Sequence, residues 1–155
     1  MLKKIIICSS LLLPMFIVDR LTKYLAIVKL PGEGVFVSTF LNLKLFLNPH
    51  LALSLPLSNA LVIVLSLIIL TLLIYFLLKK GFGNSTPTLL MLGLIIIGAG
   101  SNLLDRLRFG GVIDFINFSY FPAFNLSDAY ISLGAILLLI MLNKRPCQNF
   151  QNNLK

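Results

Sequence analysis

The chain has 155 residues, 58% of them hydrophobic and only 12% charged, with a mean hydropathy of +0.99 and a formal net charge of +8. No soluble globule of this size needs so much apolar residue, so the composition excludes one and indicates a single integral membrane domain, residues 1–155. The positive charge does not indicate a nucleic-acid partner: Lys3, Lys4, Lys79, Lys80, Lys144 and Arg145 form three clusters, each at the end of an apolar run, which is how a positive-inside topology looks.

Four membrane helices are expected. The first covers residues 5–28 and is interrupted by Asp19, Arg20 and Lys23. Its start resembles a signal peptide but lacks a small-residue cleavage site, so it is read as a retained helix. Asp19 and Lys23 stand four apart, acid first, and so share a helix face. They either neutralise each other near the helix end or turn inward and brace a site. Between helices, Leu41, Leu43, Leu45 and Leu47 alternate with Asn42, Lys44 and Phe46. Period two predicts a strand with one apolar face, and Val35-Phe36-Val37 a second, so a small sheet is expected at the outer membrane surface.

The second helix, residues 60–78, carries no charge and is long enough to cross the hydrocarbon core. A Gly- and Ser-containing turn at 79–87 leads to the third helix, 88–104. At its end Asn102, Asp105 and Arg106 fall on roughly one side, above the small residues Gly98, Ala99, Gly100 and Ser101. The fourth helix is expected over 125–142, with Asn125 and Ser127 as cap types and Asp128 in its first turn. Both termini then lie on the cytoplasmic side, and the connections 29–59 and 105–126 face outward.

Four of the five acids, Asp19, Asp105, Asp114 and Asp128, lie in or beside these apolar stretches, where a carboxylate is costly. Asp128 alone could merely complement a helix dipole, and Asp114 could be a solvated turn residue. Together they sit at one depth, with thirteen residues between them. Two adjacent carboxylates do not both ionise cheaply, so one keeps a proton. One then activates water while the other polarises a carbonyl, which is general acid–base hydrolysis without metal or covalent intermediate. Asp19 and Asp105 each have a basic neighbour, Lys23 and Arg106, and read as support. The only histidine, His50, precludes a two-His metal site, Cys8 and Cys147 have no metal spacing, and neither a His-Glu-x-x-His nor a Gly-x-Ser-x-Gly motif is present. No cofactor is expected. A proton-coupled carrier would need acids spaced across the bilayer, and a non-catalytic scaffold would not need the pair.

These residues resemble the lipoprotein signal peptidase family, also called signal peptidase II. The matching segments are Asp19-Arg20-Leu21-Thr22-Lys23, the run from Asn48 to Ser54, Gly100-Ser101-Asn102-Leu103-Leu104-Asp105-Arg106, Gly111-Val112-Ile113-Asp114-Phe115 and Phe121-Pro122-Ala123-Phe124-Asn125-Leu126-Ser127-Asp128. The resemblance implies an all-α membrane fold of four helices with a small β-cradle in the outer loops. It implies a bacterial inner-membrane aspartic endopeptidase that cuts the signal peptide from diacylglyceryl-modified prolipoproteins, just before the lipidated cysteine. The partners implied are those precursors, membrane lipid and globomycin-type inhibitors, with a monomeric enzyme. The family's catalytic acids fall on Asp114 and Asp128, and its polar site residues on Asp19, Lys23, Asn48, Asn102, Arg106 and Asn125. The chain departs from the family pattern at His50 (usually glycine), Leu53 (phenylalanine), Ser101 (commonly glycine) and Ser127 (usually alanine).

Overall fold

The computed structural model describes residues 2–49, 57–79 and 85–152, with side chains placed from residue 3 to residue 143 within those ranges. The run at 50–56, including His50 and Leu53, most of the turn at 79–87, and the side chains of Lys144, Arg145 and Cys147 lie outside the described residues.

In chain order the elements are α1 (Leu2–Lys29), β1 (Val35–Ser38), β2 (Leu41–Asn48), α2 (Asn59–Leu78), α3 (Thr86–Phe109), β3 (Val112–Phe118) and α4 (Leu126–Asn152). All four helices are long and apolar enough to cross a membrane. Helix α3 is the central post, packed against α1, α2 and α4. Large apolar side chains such as Ile6, Ile17, Ile69 and Leu139 stay more than half exposed. The most completely buried side chains include Lys23, Asp19, Asp105, Asn125, Ser101 and Ser127. Greasy outside and polar inside is the inverse of a soluble core, and it fits a protein whose outer solvent is hydrocarbon.

Helices α2 and α3 begin with hydroxyl caps. Ser58 accepts from the Leu61 amide and Ser85 from the Thr88 amide, satisfying N–H groups that the helix cannot. Helix α3 ends at Phe109, not at 104 as expected from the apolar run. Asp105 and Arg106 are inside the helix, and the stop comes from Gly110, whose φ of 75° gives the left-handed cap that donates to the Arg106 carbonyl. Likewise α4 continues past 142 to Asn152. Hydropathy marks where hydrocarbon ends, whereas backbone hydrogen bonding carries the helix further.

The three strands form one antiparallel sheet in the order β1-β2-β3. The strand expectations at Val35 and Leu41 hold, but the single apolar face on β2 does not. A bulge shifts the register between Leu43 and Phe46: Leu43 opposes Ile116, whereas Phe46 opposes Asp114 and Asn48 opposes Val112. Leu41 and Leu43 therefore share a face with Phe46 and Asn48, and the leucine stripe is split. The bulge is what lets an even-numbered asparagine reach the face that carries Asp114. Strand β3 was not expected from the sequence, although Val, Ile and Phe dominate it. Asp114 is thus a buried strand residue rather than a turn residue.

Candidate functional site

Two polar groups meet where the sheet joins the C-terminal halves of α1 and α3 and the start of α4. The first is a charge cluster. Lys23, with no exposed surface, lies 2.8 Å from Asp105 Oδ2, 3.3 Å from Asp19 Oδ2 and 2.9 Å from Asn102 Oδ1. Arg20 reaches the same cluster from the same helix, 2.6 Å from Asp105 Oδ1 and 3.0 Å from the Ser101 hydroxyl. Ser101 in turn donates to Asp19. Spacing explains the geometry: Asp19 and Lys23 project from one side of α1, and Ser101, Asn102 and Asp105 from the facing side of α3. Burying such charges is favourable only when each is paired, and here each one is.

The cluster also ties down α4. Asp19 Oδ1 accepts from the Ser127 amide at 2.8 Å, so a carboxylate on α1 satisfies one of the orphan N–H groups of α4. Asn125 and Asp128 add a reciprocal cap. The Asn125 side-chain oxygen accepts from the Asp128 amide at 3.1 Å, and the Asp128 carboxylate accepts from the Asn125 amide at 3.2 Å. The dipole-complementing role of Asp128 is therefore real, and it fixes that carboxylate in place.

The second group is Asp114 with Asp128. Asn125 Nδ2 donates to Asp114 Oδ1 at 2.7 Å, and Asn48 Nδ2 donates to Asp114 Oδ2 at 3.0 Å. Asn102 Nδ2 donates to the Asp128 Oδ1 at 2.8 Å. Asn125 thus bonds both carboxylates at once. Asn102 is oriented by Lys23, whose ammonium takes its carbonyl oxygen and leaves its NH₂ for Asp128. Burial raises the Asp114 carboxyl to about 6. The charge of Asp128 adds to the rise, while the bonds from Asn48 and Asn125 oppose it. A carboxyl titrating there exchanges its proton near neutral pH, as acid–base chemistry requires.

Arg106, 7% exposed, points to the other side of α3. Its Nη1 lies 3.3 Å from the Pro49 carbonyl and 3.5 Å from Asn59 Oδ1 at the start of α2. The expectation that Arg106 is the basic partner of Asp105 is corrected here: Asp105 is paired across the helix interface, by Arg20 and Lys23. Neighbours in a helix point about 100° apart, so Asp105 turns to α1 while Arg106 turns to α2. Asn48, Asn102, Arg106, Asp114 and Asp128 line one cavity of about 380 Å³. Away from the sheet its wall becomes apolar, with Val62 and Ile69 of α2, Ala99 of α3 and Ile131 of α4.

The structure therefore brings together all nine expected residues: Asp19, Lys23, Asn48, Asn102, Asp105, Arg106, Asp114, Asn125 and Asp128. Sequence reasoning missed Arg20 as an ion-pair partner and Asn59 as the link to α2. It read Ser101 as a small packing residue and Ser127 as a cap type, and both as departures from a pattern, but not as partners of Lys23, which lies within 3.5 Å of both hydroxyls. A helical wheel would have placed Arg20 beside Lys23, but not which helix they face.

A family model described as signal peptidase (SPase) II matches residues 11–144. A lipoprotein signal peptidase of Staphylococcus aureus (strain Newman) is 32% identical over 163 residues, covering 99% of each chain. One from Rickettsia akari is 32% identical over 143 residues, 84% of this chain and 71% of that protein. One from Halothermothrix orenii is 44% identical over 89 residues, and that match spans only 59% of its length. A solved bacterial membrane enzyme, determined by the in meso method at 2.3 Å, superposes with a TM-score of 0.79 at 30% identity, covering 88% of this chain and 87% of that one.

Proposed function

The chain belongs to the signal peptidase II family, the lipoprotein signal peptidases, and we propose that Asp114 and Asp128 perform its cut as an aspartic acid–base pair. The protein is a multi-pass membrane protease that removes signal peptides from diacylglyceryl-modified prolipoproteins, cleaving just before the lipidated cysteine. The observation that carries the aspartic reading is the shared amide scaffold: Asn125 bonds both carboxylates, and both line one cavity.

In this reading one carboxylate takes a proton from water as the water oxygen attacks the scissile carbonyl carbon. The other, protonated, gives its proton to the carbonyl oxygen, so a neutral tetrahedral diol forms. Collapse of the diol breaks the C–N bond. The proton taken from water passes to the departing amine, and the second carboxyl recovers its own. Asn48, Asn102 and Asn125 hold the acids in register, and Arg106 stands on the cavity wall where a peptide carbonyl would pass. Asp19, Lys23 and Asp105 brace α1 and α4 around them.

The same reading makes residues 1–155 one domain, monomeric, in the bacterial cytoplasmic membrane, with both termini inside and the site toward the outer face. The basic clusters at the ends of the apolar runs support that orientation. Globomycin-type inhibitors would occupy the cavity in place of the precursor. The test is cleavage of a lipidated precursor by Asp114→Asn and Asp128→Asn. Each is expected to stay folded and lose about a thousandfold or more in kcat. Near-normal cleavage by either variant overturns the assignment.

A further inference from the structure

Below the acids the cavity wall is apolar except for two hydroxyls, Ser66 of α2 and Ser132 of α4. A hydroxyl on a membrane helix ordinarily returns its hydrogen bond to its own backbone. Thr22 does so to the Val18 carbonyl and Thr71 to the Leu67 carbonyl, both at 2.9 Å or less. Ser66 and Ser132 make no such bond among the described residues, and each faces the cavity with its donor unspent.

The two serines stand at one depth. Ser132 follows Asp128 by four residues, about 6 Å further from the sheet along α4. On α3, Ala99, which lines the same cavity, precedes Asn102 by three residues, about 4.5 Å further from the sheet. Ser66 follows Asn59 by seven residues, about 10 Å along α2, and Asn59 is level with Arg106, itself about 6 Å nearer the sheet than Asn102. All three counts reach the same level, one helical turn beneath the acids.

The substrate has polar groups at that distance. Six or seven covalent bonds separate the amide nitrogen of the lipidated cysteine from the ester groups on its glyceryl carbons, roughly 6–8 Å when extended. Two ester carbonyls there are acceptors without donors in an apolar slot, facing two donors without acceptors. We propose that Ser66 and Ser132 form an ester-carbonyl subsite, donating to the two esters of the diacylglyceryl group and selecting a diester-linked lipid on the cysteine. The inference rests on the reading of Asp114 and Asp128 as the cutting pair, because that reading sets the depth of the scissile bond.

The test uses the full chain, reconstituted, with two synthetic precursors of equal chain length: one carrying diacylglyceryl, the other its dialkyl-ether counterpart, which lacks both carbonyls. The wild type is expected to prefer the diester by roughly tenfold in kcat/KM, mostly through KM, as two modest hydrogen bonds imply. In the Ser66→Ala/Ser132→Ala double variant the preference collapses, because the diester rate falls to that of the ether while the ether rate holds. Equal rates on both precursors by the wild type overturn the subsite, and so does an undiminished preference in the double variant. Asp114→Asn, run alongside, separates the two claims: cleavage by that variant defeats the catalytic reading, whereas the diester preference of the wild type and its loss in the double variant decide the serines.

Discussion

Asp19 and Asp105 in the charge cluster, and Asp114 and Asp128 beside the cavity, are the same residue type within one small protein, all buried except Asp128, which is half-buried. The first two meet cations: Lys23 lies within 3.3 Å of both and Arg20 within 2.6 Å of Asp105. The second two are held by the amides of Asn48, Asn102 and Asn125. A cation ties a buried carboxylate into a fixed pair, which suits a brace. An amide orients the carboxylate and leaves its proton free to come and go. The contrast separates structure from chemistry without reference to position in the chain, and it can be attacked from either side.

The largest expected effect is on the braced side. Lys23→Met leaves Asp19 and Asp105 sharing less positive charge in a buried site, and it should destabilise the folded protein by about 3–5 kcal/mol, measured by unfolding in detergent. Wild-type stability in that variant would show that the cluster is not a brace. Next is the opposite behaviour of Asp114. Its folded-state carboxyl titrates near 6, above the ordinary value, so the native state holds its proton more tightly than the unfolded chain. Ionisation of Asp114 therefore costs stability, increasingly as pH rises from about 4 to 6 and fully above that, up to about 3 kcal/mol. Asp114→Asn should accordingly be more stable than the wild type at pH 8, with the gain gone near pH 4. The smallest effect lies at the link between the two regions. Asn102→Ala removes the amide that Lys23 orients toward Asp128, and kcat should fall about 10- to 100-fold with stability little changed. An effect on KM alone would place Asn102 in binding rather than in positioning.

Much of this was legible in the residues. Apolar runs located the four helices, alternation located β2, and the scarcity of acids pointed to the site. Other features depend on information that is not local. The bulge in β2 turns Asn48 toward Asp114, and it follows from pairing with a strand about 65 residues away rather than from any pattern within Leu41–Asn48. Helix α3 outran its apolar stretch because Asp105 has its charge met by another helix. Arg106 was expected beside Asp105 because the two adjoin in sequence, yet adjacency on a helix separates side chains instead of joining them. The cap at Asn125 and Asp128 was readable, since it is a short-range motif whose partners lie three residues apart.

The central claim is that Asp114 exchanges a proton near neutral pH as one of the cutting pair with Asp128, while Asp19 and Asp105 serve as a brace. It is tested most directly by infrared titration of protonated carboxyl groups in the reconstituted protein, wild type against Asp114→Asn and Asp19→Asn. The account predicts a carboxyl signal that disappears as pH rises through about 6, absent from Asp114→Asn and retained in Asp19→Asn. The same signal persisting in Asp114→Asn and vanishing from Asp19→Asn would contradict it.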